Sequence, residues 1–261
     1  MKNTGVRSGT GRSILVTVLW ATIAAAAWGQ EKKDELSIGV KSRFGWWETS
    51  RKQYDHMAGG GGYFNPDTIE SERSDLGLSV GPELKYNYGG LFARGSYLWG
   101  SNGLSDGGNV DIRSFGADIG VAAGAGVFVG YRRLDVSFKG GAGAQIADHS
   151  ISDAVLGLML QADPRTPGFK WGIEMAFGIQ GLISVWDDDA FEKKPAIWEA
   201  ELTFGYRFKS IPLTANVGYG IWWYEKKARE YPYSPSIIID KVVERWQDWA
   251  HGVILNVTYS F

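Results

Sequence analysis

The stretch Phe115-Gly-Ala-Asp118-Ile119-Gly-Val121-Ala-Ala-Gly124-Ala-Gly-Val127-Phe128-Val129-Gly-Tyr131-Arg132 alternates without a slip. Phe115, Ala117, Ile119, Val121, Ala123, Ala125, Val127, Val129 and Tyr131 hold one parity. Gly116, Asp118, Gly120, Ala122, Gly124, Gly126, Phe128, Gly130 and Arg132 hold the other. Successive strand side chains point to opposite faces, so this is a strand pattern with one apolar face and one small or polar face. A single strand this long exceeds the ~9–11 residues that cross a bilayer and would project beyond it. A bend or bulge at residues 124–126 is the alternative.

The same period recurs along the chain. Over residues 36–46, Leu36, Ile38, Val40, Phe44 and Trp46 oppose Ser37, Gly39, Lys41, Arg43 and Gly45. Residues 76–86 alternate likewise, and an Asn87-Tyr88-Gly89-Gly90 turn leads to a strand over 91–99. Further strands read at 136–146, 154–162, 169–185, 198–208, 213–223 and 249–261. The total is ten, with eight or twelve as alternatives. Short turns are expected at 87–90, 133–135, 163–168 and 209–212. Long loops are expected at 48–75, 100–114, 186–197 and 224–248, with 147–153 a short exception on the long-loop side. Alternating short and long connections fit an all-β, up-and-down antiparallel transmembrane β-barrel.

A soluble barrel alternates too, so the contents of each face decide the solvent. A small soluble barrel puts large apolar residues inside, and a membrane barrel inverts this. Here the apolar face carries rings at its ends, among them Trp46, Tyr86, Trp99, Tyr131, Trp171, Trp198, Trp223 and Trp249. Its middle is aliphatic or small, as at Ile119, Val121, Leu202 and Val217. Rings flanking an apolar band suit the two edges of a membrane. The opposite face is read as Gly, Ser, Thr, Asn and charge, a poor dry core because its charges would need complete pairing.

Composition agrees. The 261 residues include 36 Gly and 12 each of Trp, Tyr and Phe, but no Cys. That excludes a disulfide framework, a thiolate metal site and a thiol nucleophile. A net charge of −2 gives no bulk attraction for nucleic acid. The mean hydropathy of −0.18 argues against a bundle of membrane helices. Residues 1–29 read as a cleavable secretory signal peptide. Lys2, Arg7 and Arg12 precede an apolar run over 14–27, and Ala27-Trp28-Gly29 places small residues before Gln30. The mature unit is then 30–261, exported and more acidic.

The last strand, with Val253, Leu255, Val257, Tyr259 and Phe261 at every second position, resembles the closing strand of bacterial outer-membrane β-barrel proteins. The resemblance implies residence in a Gram-negative outer membrane, with bilayer and lipopolysaccharide as surroundings. It also implies that these five residues are read by the barrel assembly machinery. It says almost nothing about activity.

The inward parity gathers Lys41, Arg43, Arg94 and Lys139 against Glu83, Asp118, Glu174, Glu199 and Glu201. Such a cluster is either a solute-selecting constriction or an internal salt-bridge network filling a narrow barrel. Near-balance of sign and the small lumen of ten strands favour the network. Catalysis is read as absent. Ten-stranded barrels include surface proteases of the omptin type, but the paired acidic and His-containing motifs of those enzymes are not evident. His251 points outward, His149 reads as a loop residue beside Asp148, and no inward His is found on a strand. Asp187–Asp189 lack the alternating spacing of a calcium loop. Gly59–Gly62 lack the Lys-Ser/Thr and helix of a phosphate loop. No cofactor or metal is expected. The expected function is a small monomeric pore or structural barrel, with a small solute as the expected cargo of a pore. Recognition of a surface ligand through the external loops is the alternative, and a rim hydrolase of omptin type a distant third.

Overall fold

The computed structural model describes residues 34–57, 63–104, 107–139, 145–163, 166–179, 195–232 and 239–261. The expected leader, Gly59–Gly62 and Asp187–Asp189 lie outside the described residues. The strands are β1 (Asp34–Met57), β2 (Tyr63–Arg73), β3 (Gly77–Tyr88), β4 (Leu91–Gly103), β5 (Asn109–Ala123) and β6 (Ala125–Lys139). They continue as β7 (Gln145–Gln161), β8 (Gly168–Gly178), β9 (Ala196–Arg207), β10 (Leu213–Pro232) and β11 (Ile239–Ser260). Ten of them form an up-and-down antiparallel meander, and β11 pairs with β1 to close the barrel. β2 is the eleventh strand. It lies beside the distal half of β1 and takes no other place in the ring.

The alternating stretch at 115–131 is not one strand. It is a hairpin, β5 and β6, turning at Gly124, whose φ of +91° favours glycine. Ile119 faces Val129 and Val121 faces Val127, so odd residues pair with odd ones. A turn of this register preserves parity and leaves no break in the pattern. The β4–β5 link preserves parity as well, with Tyr97 facing Phe115, but at the β3–β4 turn the opposite holds. Leu84 faces Gly95, so parity flips and the hairpin is visible in the sequence.

Other boundaries move accordingly. Residues 133–135, expected as a turn, lie within β6, and 147–153, expected as a loop, lie within β7. The expected strand over 136–146 divides between the end of β6 and the start of β7. The count of ten stands because this loss offsets the added hairpin. The expected loop at 100–114 contracts to the link between β4 and β5. Much of 48–75 and 224–248 is strand, because β1, β10 and β11 run far past the ring-bearing level.

The outer wall is apolar. Ile119 is 61% exposed, and Val40, Leu84, Leu158, Leu202, Val217 and Val257 are exposed with it. Trp46, Trp99, Tyr131 and Trp249 stand exposed toward one end, and Tyr86, Trp171, Tyr206 and Tyr259 toward the other. The opposite parity is interior: Phe128 is only 1% exposed. The interior is not uniformly polar as expected. In its distal half, away from the short turns, Val110, Ile112, Leu134, Val136, Phe138, Ile151, Val155, Ile197, Trp47 and Tyr224 form a packed apolar core. Several of these fall in stretches read from sequence as loops or turns, where alternation assigns no face.

Candidate functional site

The middle of the lumen is an ionic belt. On β9, Glu199 and Glu201 share the inward face, and Glu174 of β8 lies directly opposite Glu201. Like charges in that position repel. Cations arriving from other walls resolve this. Lys41 of β1 donates to Glu201 at 2.7 and 3.0 Å, and Arg43 Nη2 reaches it at 3.2 Å. Arg94 of β4 donates through Nη1 to Glu174 at 2.6 Å and through Nε to its neighbour Asp118 at 2.8 Å. Arg132 of β6 joins Asp118 (2.5 Å) to Glu199 (2.8 Å). Four cations thus meet four carboxylates, and the barrel is bridged from wall to wall.

Neutral groups complete the belt. Tyr224 donates to Glu199 at 2.5 Å and Trp222 Nε1 to Glu201 at 3.3 Å. The Arg43 guanidinium lies 4.1 Å from the centre of the Trp222 ring. Gly130 is required here, because a Cβ would strike the Asp118 carboxylate. Buried ion pairs add little net stability over apolar packing, but an unpaired survivor is costly. The network therefore holds itself closed.

Seven of the nine expected lumen charges join this belt: Lys41, Arg43, Arg94, Asp118, Glu174, Glu199 and Glu201. Glu83 lines the lumen and accepts from Asn256 at 3.1 Å, apart from the pairs above. Lys139 is a correction. Its side chain is 46% exposed on the outer wall and pairs with Asp111 at 2.8 Å. It follows the odd parity of Tyr131 through β6, which the expected turn at 133–135 concealed. That pair lies beyond the apolar band, and Lys139 holds the Asp111 carboxyl below the usual carboxylate range. Arg132 is the belt residue the sequence reading omitted from its charge cluster. Its inward parity was visible, but it stood beside the supposed turn.

A second polar group lies in the distal core. His149 is inward on β7, not in a loop. Its Nε2 is 2.5 Å from Asp248 Oδ2, and both side chains are buried. Asp248 Oδ1 also accepts from Thr49 Oγ1 (2.8 Å) and Trp47 Nε1 (3.3 Å). The imidazole is sandwiched between Trp246 (5.3 Å, 2° between planes) and Phe138 (6.3 Å, 10°). His149 Nδ1 is enclosed without a hydrogen-bond partner. His251, by contrast, points outward as read. It stacks on Trp46 at 5.3 Å, and its Nδ1 lies 2.6 Å from the Tyr219 hydroxyl. Val253, Leu255, Val257, Tyr259 and Phe261 are exposed on the outer wall of β11. Among the described residues, no group of three or more His, Asp or Glu is arranged to hold a metal ion.

No family model and no curated protein matches the chain. Among solved structures, the outer membrane protease OmpT from Escherichia coli matches with a TM-score of 0.50 and 10% identity. The match covers 86% of this chain and 97% of that one. A TodX monoaromatic hydrocarbon channel mutant (TM-score 0.28, 10% identity) covers 93% of this chain and 94% of its own. A Pseudomonas aeruginosa FadL homologue (0.25, 11%) covers 87% and 90%. The closed antiparallel barrel is similar in fold to that outer membrane protease. At these identities the likeness extends to the fold alone.

Proposed function

We propose that the protein is a monomeric barrel of the bacterial outer membrane with a closed lumen, acting as a structural barrel instead of an open pore. The belt joining Lys41, Arg43, Arg94 and Arg132 to Asp118, Glu174, Glu199 and Glu201 carries this reading. The apolar core on its distal side adds a second closure. The exposed aliphatic wall supports residence in a bilayer, since so large an apolar surface is unfavourable in water. In this reading residues 1–29 are the export leader, lipopolysaccharide contacts the outer wall, and β11 carries the assembly signal. The barrel is not an enzyme, and the enclosed Nδ1 of His149 supports a structural role for that residue.

The test is planar-bilayer conductance of refolded residues 30–261, with a gel-mobility shift on boiling as proof of folding. The expected result is a folded, silent barrel. Discrete steps in the unaltered protein would overturn the closed reading.

One observation favours a second role. β1 continues from Trp46 to Met57, about 36 Å at ~3.3 Å per residue. β2, β11 and β10 accompany it as one projecting wall. A wall held clear of the membrane suits recognition of a surface ligand. Removing residues 63–73 should then abolish binding to cells or surfaces without unfolding the barrel.

A further inference from the structure

On the short-turn side of the belt the lumen opens into a polar vestibule of about 140 Å³. Lys85 of β3 and Lys170 of β8 both line it. Four strands separate β3 from β8 in either direction round the ring, so the two lysines approach from opposite walls. Neither has a carboxylate partner among the described residues. Lys170 donates to two neutral acceptors, the Asp163 carbonyl and Thr166 Oγ1, the latter at 2.9 Å. Lys85 lies over the Phe92 ring, 5.8 Å from its centre.

The other charges of the vestibule are engaged by one another or by a neutral group. Arg207 is occupied by Glu35 at 2.8 Å, and Glu83 takes the Asn256 amide. Counting Lys85, Lys170 and Arg207 against Glu35 and Glu83 leaves one positive charge in excess. Gln161 adds a buried amide nitrogen with no acceptor. Donors from two facing walls thus converge on a vestibule whose own carboxylates, Glu35 and Glu83, bond to Arg207 and Asn256 and not to the two lysines, beside a belt already neutral within itself. Enclosed positive charge in excess is unfavourable, and an oxyanion between the two ammonium groups would relieve it. The cavity is well below the ~300–1,000 Å³ of sites for drug-sized ligands, which limits the occupant to a small one.

We propose that this vestibule binds a small oxyanion, a phosphate or carboxylate group of a solute entering from the short-turn side, between Lys85 and Lys170. The proposal needs the vestibule only and holds whether or not the belt conducts.

Calorimetric titration of the folded barrel in detergent, with inorganic phosphate in one series and acetate in another, tests it. Saturable binding of either probe is expected, weakening as chloride is raised. Phosphate alone would identify a phosphate-bearing solute and acetate alone a carboxylate. Lys85→Gln and Lys170→Gln should each weaken binding at least tenfold, while Lys85→Arg and the outer-wall variant Lys139→Gln keep it. The boiling-dependent gel shift establishes that each variant is folded. Absence of saturable binding for both probes would overturn the proposal. So would binding that both lysine-to-glutamine variants retain.

Discussion

His149 of β7 and Asp248 of β11 meet inside the barrel with Nε2 2.5 Å from Oδ2. The residues are 99 positions apart in the chain, and their strands are not neighbours in the ring. The contact therefore pins two separate walls through the distal core. His149→Ala should cost about 1–3 kcal/mol, the penalty of depriving a buried acceptor of one partner. Asp248 keeps Thr49 and Trp47, so complete unfolding is not expected. Denaturant titration in lipid vesicles measures the loss. An unchanged midpoint would show that the pin contributes nothing.

Arg132 holds two carboxylates at once, Asp118 and Glu199. Arg132→Met should destabilise by about 3–5 kcal/mol, because it leaves buried charge unpaired. Adding Glu199→Gln should recover part of that loss. The same single variant should admit ion steps in a planar bilayer where the unaltered barrel is silent. Equal stability of the single and double variants would refute the coupling.

Ile119 and Phe128 lie on opposite faces of one hairpin. Ile119→Arg should cost about 2–4 kcal/mol in lipid if the outer wall meets the middle of a bilayer. Phe128→Ala should cost about 3–5 kcal/mol by leaving a cavity inside. A neutral Ile119→Arg measured in vesicles would place that wall outside the hydrocarbon.

Gly124 sits at φ +91° with open space around it, so conformation and not crowding restricts it. Gly124→Val should cost about 1–3 kcal/mol of backbone strain. Gly124→Asn should be milder, because Asn tolerates positive φ better. Refolding midpoints of the two variants test the order.

Phe261 ends the exposed stripe of β11. Deleting it should lower the amount of barrel reaching the membrane in cells while sparing refolding in vitro. Cell-fractionation blots beside a refolding assay separate these outcomes. Normal membrane levels would remove the terminal residue from the assembly signal.

The alternation of side chains is local, and so the outer wall was legible in the sequence. Leu84, Ile119, Leu202, Val217 and Leu255 were placed outward by parity alone, and the inward set around Asp118, Glu199 and Glu201 followed from it. Parity is blind where a turn preserves it. The hairpin at Gly124 was therefore read as one strand, and the misplaced turn at 133–135 carried Lys139 to the wrong face. The interior depended on register and closure. Arg132 meets Glu199, and His149 meets Asp248, only because ten strands curl until β11 pairs with β1 and distant walls come within reach of a side chain. The sequence determined which residues face out, since that depends on a repeat of two along the backbone. The tertiary structure alone decided which inward residues meet, since that depends on the curvature and stagger of the whole ring.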